Sequence, residues 1–149
     1  MPLNEMSKFT RLEILPGSAC KALVDAFYSR HGSPSVARPD DLFFLALFNH
    51  QLIGCVRYCE EHETPMLRSM MIDQTYRQKG IGTFLLKAFE SHLVENQIQN
   101  THCIPYPHLD HFYGQIGFSV IVPESAPEFL FARWRSYQQR GEYLCMRRP

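Results

Sequence analysis

The chain has 149 residues, of which 45% are hydrophobic and 20% charged. That suits one globular domain with a sizeable core over residues 1–149 and excludes a disordered chain. Fifteen basic residues balance fifteen acidic ones, so neither nucleic acid nor a membrane surface is expected as a partner. No apolar run reaches membrane-spanning length, and residues 1–10 have no signal-peptide core. Five scattered cysteines, odd in number, read as reduced thiols, with a cytoplasmic location expected.

Residues 9–15 alternate and predict a first strand, ended by Pro16-Gly17-Ser18. A helix follows with Ala19, Ala22, Leu23, Ala26 and Phe27 on one face and Gly32 as its stop. Residues 31–41 hold two prolines, a glycine and two serines and predict a loop. Residues 42–48 and 52–59 form two apolar runs across the turn Asn49-His50-Gln51, a hairpin. After a polar turn at 60–65, residues 66–72 give the next strand.

The stretch from Met66 to Thr83 is the most informative. An apolar strand leads through a polar turn into Arg77-Gln78-Lys79-Gly80-Ile81-Gly82-Thr83 and then a helix. That helix places Ile81, Phe84, Leu85, Ala88, Phe89, His92 and Leu93 on one face. A helix start offers backbone N–H groups without internal partners and the positive end of the macrodipole, which together suit a phosphate. The spacing fits no Walker loop. The third glycine of a dinucleotide fingerprint is replaced by Leu85, and about twenty residues on stand Asn100 and Thr101, with no acidic residue for a ribose. A glycine turn that merely lets a helix pack on a strand is the bland alternative.

Further on, residues 101–105 predict a short strand that Pro105 and Pro107 make an edge or end early. Residues 109–116 predict a short helix and 117–122 a strand. Ser125-Ala126-Pro127-Glu128 has the form of a capping box. It opens a helix with Leu130, Phe131, Trp134 and Tyr137 or Gln138 inward, stopped by Gly141, before a last strand at 143–146.

The Arg77-to-Gly82 loop resembles the Arg/Gln-x-x-Gly-x-Gly/Ala loop of the GCN5-related N-acetyltransferase (GNAT) family. Tyr113-Gly114-Gln115-Ile116-Gly117-Phe118 resembles the family's second hallmark, a Tyr, three intervening residues, then Gly-Phe entering a strand. The two motifs stand in the family's order and spacing, and the resemblance covers roughly residues 9–146. It implies an α/β (α+β) fold with a mixed, mostly antiparallel central sheet flanked by helices and splayed between the fourth and fifth strands.

It also implies that acetyl-CoA is the cosubstrate. Backbone groups of Met70, Met71 and Ile72 would pair with the pantetheine arm. The amides from Gln78 through Lys79, Gly80, Ile81 and Gly82 to Thr83, with Arg77 opening the loop, would hold the pyrophosphate. An amine would attack the thioester directly, and Tyr113 would donate to the departing thiolate; a phenol stays protonated at neutral pH.

Two departures stand out. Tyr106 occupies the position of a frequent cofactor-contacting Asn, and strand 66–72 carries only Arg68 and Ser69 as polar residues where some members have a glutamate base. Base candidates are Glu61, Glu63, Asp73, His108, Asp110 and His111, or a water chain; each reads first as a surface residue, and Glu63 and His111 are the two selected.

No metal is expected: Cys55, Cys59 and His62 lack a fourth ligand, and the pair His108/His111 reads as helix surface. His102 and Cys103 point to opposite faces of a strand, against a cysteine nucleophile. A primary amine is the expected acceptor, a small molecule before a protein N-terminus or lysine. The rivals are a non-catalytic acyl-CoA-binding module and a protein binding another nucleotide diphosphate. The last strand with the Phe129-Leu130-Phe131 and Trp134 cluster fits either the core or a homodimer interface.

Overall fold

In the computed structural model, residues 8–149 are described; the expectation for the N-terminal segment falls mostly outside them. Seven strands take the order β1-β2-β3-β4-β5-β7-β6. They are β1 (Arg11–Pro16), β2 (Leu42–Phe48), β3 (Gln51–Glu61), β4 (Thr64–Ile72), β5 (Thr101–Cys103), β6 (Ser119–Val120) and β7 (Met146–Arg148). Among the described residues the helices that flank these strands are α1 (Gly17–Arg30), α2 (Ile81–Glu95), α3 (Asp110–Gly114) and α4 (Glu128–Gln138). β4 and β5 run parallel with one registered pair, Met66 with His102. β1–β2, β2–β3, β5–β7 and β6–β7 are antiparallel. This is the mixed, mostly antiparallel α/β sheet that the sequence implies.

The chain divides into two compact units. The first holds residues up to Cys59 together with Leu67–His92. Its β2–β3 link is a two-residue turn with Asn49 and His50 both left-handed (φ 52° and 63°), the twist-matched hairpin geometry. Both faces of β2 and β3 are covered, which explains their nearly continuous apolar sequence. Phe43, Leu45, Leu52 and Cys55 pack against Cys20, Val24, Phe27 and Tyr28 of α1. On the opposite face Phe44 meets Phe89 of α2 at 5.5 Å between ring centroids, and Tyr58 meets Phe89 at 6.0 Å. Each fully buried Val, Leu or Phe among these contributes about 1.5–3 kcal/mol. Gly54 is small for a reason: a Cβ there would lie 2.8 Å from Ile72 Cδ1 and 3.2 Å from Ile81 Cγ2.

Several expectations are corrected. β1 begins at Arg11 rather than Phe9. The inward face of α1 is Cys20, Val24, Phe27 and Tyr28, whereas Ala19, Ala22, Leu23 and Ala26 are exposed. The helix is kinked at Cys20 (φ −131°, ψ 15°), and the bulkier set, not the alanines, has the surface worth burying.

The second unit holds Glu60–Met66 and Leu93–Pro149. β5 ends at Cys103, ahead of Pro105, as its prolines require. β6 is only Ser119–Val120, and β7 runs Met146–Arg148 instead of 143–146. Main-chain bonds set this register: Ile121 N–H donates to Cys145 O (2.9 Å) and Leu144 N–H to Pro105 O (2.8 Å). The capping box does not form. Ser125 closes a short 3₁₀ turn, its hydroxyl donating to Val122 O at 2.6 Å, and α4 starts at Glu128 behind Pro127. In α4 Leu130 is fully buried, while Phe131, Trp134 and Tyr137 are half-buried. Trp134 Nε1 donates to Tyr143 O at 2.8 Å, so its polar end is satisfied within this unit.

Candidate active site

The glycine loop grows from the end of β4. Asp73 N–H donates to Ile53 O at 2.8 Å, continuing the pairing with β3. The Asp73 side chain then accepts from Thr75 N–H (2.9 Å), while its carbonyl accepts from Tyr76 N–H (2.9 Å). This Asx-type turn forms the 3₁₀ segment Gln74–Tyr76. The Tyr76 ring anchors it 5.9 Å from the ring of Phe48. His31 Nε2 stands 3.6 Å from Asp73 Oδ2. Asp73, one of the base candidates, is therefore a turn-forming residue.

Beyond the turn the backbone is left-handed at Gln78 (φ 61°) and Gly80 (φ 83°). A Cβ on Gly80 would meet nothing within 4 Å. The glycine is thus not there to let a helix pack closely; it supplies a left-handed turn beside open space. The first helical bond is Phe84 N–H to Gly80 O at 2.9 Å, so the Ile81 and Gly82 amides sit in the first turn, where a helix has no internal acceptor for them. Lys79 is half-buried and Arg77 exposed, its Nε donating to Ile72 O at 3.1 Å. Left-handed backbone, first-turn amides and two cations make a donor set that fits a pyrophosphate. Met70, Met71 and Ile72 lie beyond the one registered β4–β5 pair, all half-buried.

β4 also carries a feature that the sequence reading did not identify. Ser69 is left-handed (φ 57°) inside the strand. Among the described residues it is the one non-glycine residue with such a φ that lies in a strand and not in a turn or loop. That conformation costs about 1–2 kcal/mol for a residue with a Cβ. Three hydrogen bonds hold it. Tyr28 OH donates to Ser69 O at 2.6 Å, Arg57 Nη2 donates to Ser69 Oγ at 2.8 Å, and Ser35 Oγ lies 3.0 Å from Ser69 Oγ. Arg57 is buried, and its Nη1 donates to Asp41 Oδ2 and to Val36 O, both at 2.9 Å. The signal in the sequence was a single arginine within the apolar run 52–59.

In the second unit, Tyr113 of α3 is buried, in edge contact with Phe112 (5.0 Å) and Phe118 (6.1 Å). Burial, with a smaller effect of Cys103, raises its pKa far above the usual phenol range. The hydroxyl therefore remains protonated at any working pH. The other candidates are spread along the unit. Glu63 is exposed at a left-handed turn position (φ 64°). The His111 side chain is fully exposed, 4.0 Å from Asp110; both residues border a surface depression of about 480 Å³ with Gly114, Phe118 and Met146. His108 stacks on Tyr106 at 5.9 Å. Glu61 is buried, its carboxylate gripped by both terminal nitrogens of Arg133 at 2.6 and 3.2 Å. A two-pronged pair of this kind is strong and geometrically specific, so Glu61 serves first as the anchor of α4.

All five cysteines are free and buried. Burial pushes the thiol of Cys103 well up, that of Cys55 to about 12 and that of Cys145 to about 11. None of these three is poised as a thiolate. Among the described residues, no group of three or more His, Cys, Asp or Glu could hold a metal ion. No described helix is long and apolar enough to cross a membrane.

Comparison with known proteins agrees with the fold. A family model of the acetyltransferase (GNAT) domain matches residues 39–120. No curated protein matches the chain. Among solved structures, Escherichia coli ElaA is similar, with a TM-score of 0.67, 18% identity, and coverage of 94% of this chain and 99% of that one. The catalytic domain of Tetrahymena GCN5 histone acetyltransferase in complex with coenzyme A gives 0.64 and 16%, over 93% and 91% of the two chains. N-acetylglutamate synthase from Neisseria gonorrhoeae, complexed with coenzyme A and N-acetyl-glutamate, gives 0.68 and 15%, over 95% of this chain and 35% of that one. The matched span covers more than half of the chain and includes β2 to β6, the glycine loop and Tyr113: the chain belongs to the GNAT family of acetyltransferases.

Proposed function

We propose that this protein transfers the acetyl group of acetyl-CoA to a primary amine, by direct attack with donor and acceptor bound together. The observation that carries the donor half is the loop at Gly80, left-handed and open to space at the start of α2. The first-turn amides, Lys79 and Arg77 bind the diphosphate, and the backbone of Met70, Met71 and Ile72 orients the arm that ends in the thioester. In the reaction the amine nitrogen forms a bond to the acetyl carbon, the carbon–sulfur bond breaks with its electron pair leaving on the CoA sulfur, and the amine gives up its proton to a base or a water chain.

The buried thiols support direct attack over an acetyl-cysteine route. Tyr113 is the residue to which the family pattern assigns the departing thiolate. With its pKa raised by burial, it is a far weaker acid than a thiol of pKa about 8.5. Its role is therefore to hold the sulfur by a hydrogen bond rather than to surrender its proton fully. Glu63 and His111 stay as the base candidates. We favour a small-molecule amine as acceptor, ahead of protein N-terminal or lysine amines; the zero net charge points to none of them.

Thiol release from acetyl-CoA, followed against a panel of small amines and lysine peptides, tests the proposal. At least one small amine should accelerate release and appear acetylated. Tight acetyl-CoA binding without acceleration by any amine would favour a binding module instead.

A further inference from the structure

We propose that Tyr28 and Arg57 are positioning residues for the acyl donor, acting through Ser69 to aim the backbone N–H of Met70. The inference rests on the reading above, in which the β4 backbone receives acetyl-CoA.

The peptide bonds of the described chain are all trans. In a trans peptide the C=O of one residue and the N–H of the next point in opposite directions. The Ser69 carbonyl is held by the Tyr28 hydroxyl at 2.6 Å, on the face that α1 covers. The Met70 N–H therefore points away from α1. A left-handed residue is what turns this peptide out of the ordinary strand alternation, and Ser lacks glycine's freedom to adopt it unaided. The hydroxyl gives the missing hold: Arg57 Nη2 donates to Ser69 Oγ at 2.8 Å.

Arg57 is itself held, buried between Asp41, Val36 O and the ring of Phe43. Phenol and guanidinium thus grip the carbonyl and the side chain of the same residue. Together they fix the direction of one amide hydrogen at the strand that receives the thioester arm. A backbone N–H aimed in advance at an acyl oxygen stabilises that oxygen without reorganisation.

The test uses the full-length protein, acetyl-CoA and free CoA. Calorimetry gives the ratio of the two affinities for wild type, Tyr28→Phe and Ser69→Ala. Isotope-edited infrared spectroscopy reads the carbonyl stretch of bound [1-¹³C]acetyl-CoA. In the wild type the carbonyl should be shifted to lower frequency. In both variants that shift should shrink, and acetyl-CoA should bind about tenfold more weakly while free CoA changes less than twofold. An unchanged carbonyl frequency, or equal weakening of both ligands, overturns the proposal, since a purely structural role would act on both alike. Should Tyr28→Phe fail to fold, Ser69→Ala, which alters only a half-buried hydroxyl, decides the matter alone. Wild-type protein that binds neither ligand would instead overturn the functional reading.

Discussion

The guanidinium of Arg57 and the carboxylate of Asp41 form a buried ion pair, 2.9 Å apart, with side-chain exposures of 6% and 5%. The pair joins β3 to the segment entering β2, and Asp41 also accepts from Arg38 N–H at 3.0 Å. A cation this deep needs its anion. Asp41→Asn should cost about 3–5 kcal/mol, because it leaves the charge of Arg57 buried and uncompensated. Urea denaturation measures this, and a loss below about 1 kcal/mol would show that the pair is solvated in a way its burial denies.

Gly80 separates conformational strain from ligand contact. Gly80→Ala should lower stability by about 1–2 kcal/mol, from the Cβ at φ 83° alone, since nothing lies within 4 Å of it. The same methyl projects into the space assigned to the diphosphate. Affinity for CoA should fall at least about tenfold. Thermal unfolding and calorimetry check the two effects separately. An unchanged affinity would remove Gly80 from the binding loop.

Tyr113→Phe should lower kcat by about 10²–10³-fold with little change in the KM for acetyl-CoA, as for loss of one transition-state hydrogen bond. Because burial pushes the Tyr113 phenol out of the accessible range, the wild-type kcat profile should show no basic limb that Tyr113→Phe abolishes between about pH 6 and 9. A limb that disappears in the variant would contradict this role.

His102 links stability to pH. Burial holds its imidazole below the ordinary range; a hydrogen bond to Asn100 O opposes this and nearby Arg147 assists it. The folded state thus binds the proton less readily than the unfolded state, whose pKa is about 6.5. The stabilising contribution is complete above about 6.5 and is lost as pH falls through the lower folded value. In urea titrations from pH 8 to 5, His102→Gln should lack this part of the acid slope. Parallel curves for the two proteins would show that His102 does not titrate differently on unfolding.

Much of this was legible in the sequence where one residue type has one physical use. The α2 stripe of Ile81, Leu85, Phe89 and Leu93 is buried as its period requires, although Leu86 joins it unannounced. Gly80 and the Asn49-His50 turn stand out because left-handed backbone selects their residue types. The α1 face was not legible: three alanines satisfied the period, but the kink at Cys20 and the larger Val24, Phe27 and Tyr28 decided which side faces the sheet. Ser125 looked like a cap and closes a turn instead, since a serine hydroxyl bonds as readily to a local carbonyl as to a helix N–H. Ser69 was hidden for a different reason. Its conformation is imposed by Tyr28, Arg57 and Ser35, distant in sequence, and a lone arginine in β3 was the one trace of it.

On the proposed reading, the Gly80 loop binds the diphosphate of acetyl-CoA. Thermal unfolding of the full-length protein with acetyl-CoA, ATP or NAD at equal concentration tests it most directly. Acetyl-CoA at about one hundred times its dissociation constant should add about 2.7 kcal/mol, raising the unfolding temperature by several degrees, with ATP and NAD giving little. Protection by ATP or NAD and none by acetyl-CoA would contradict it.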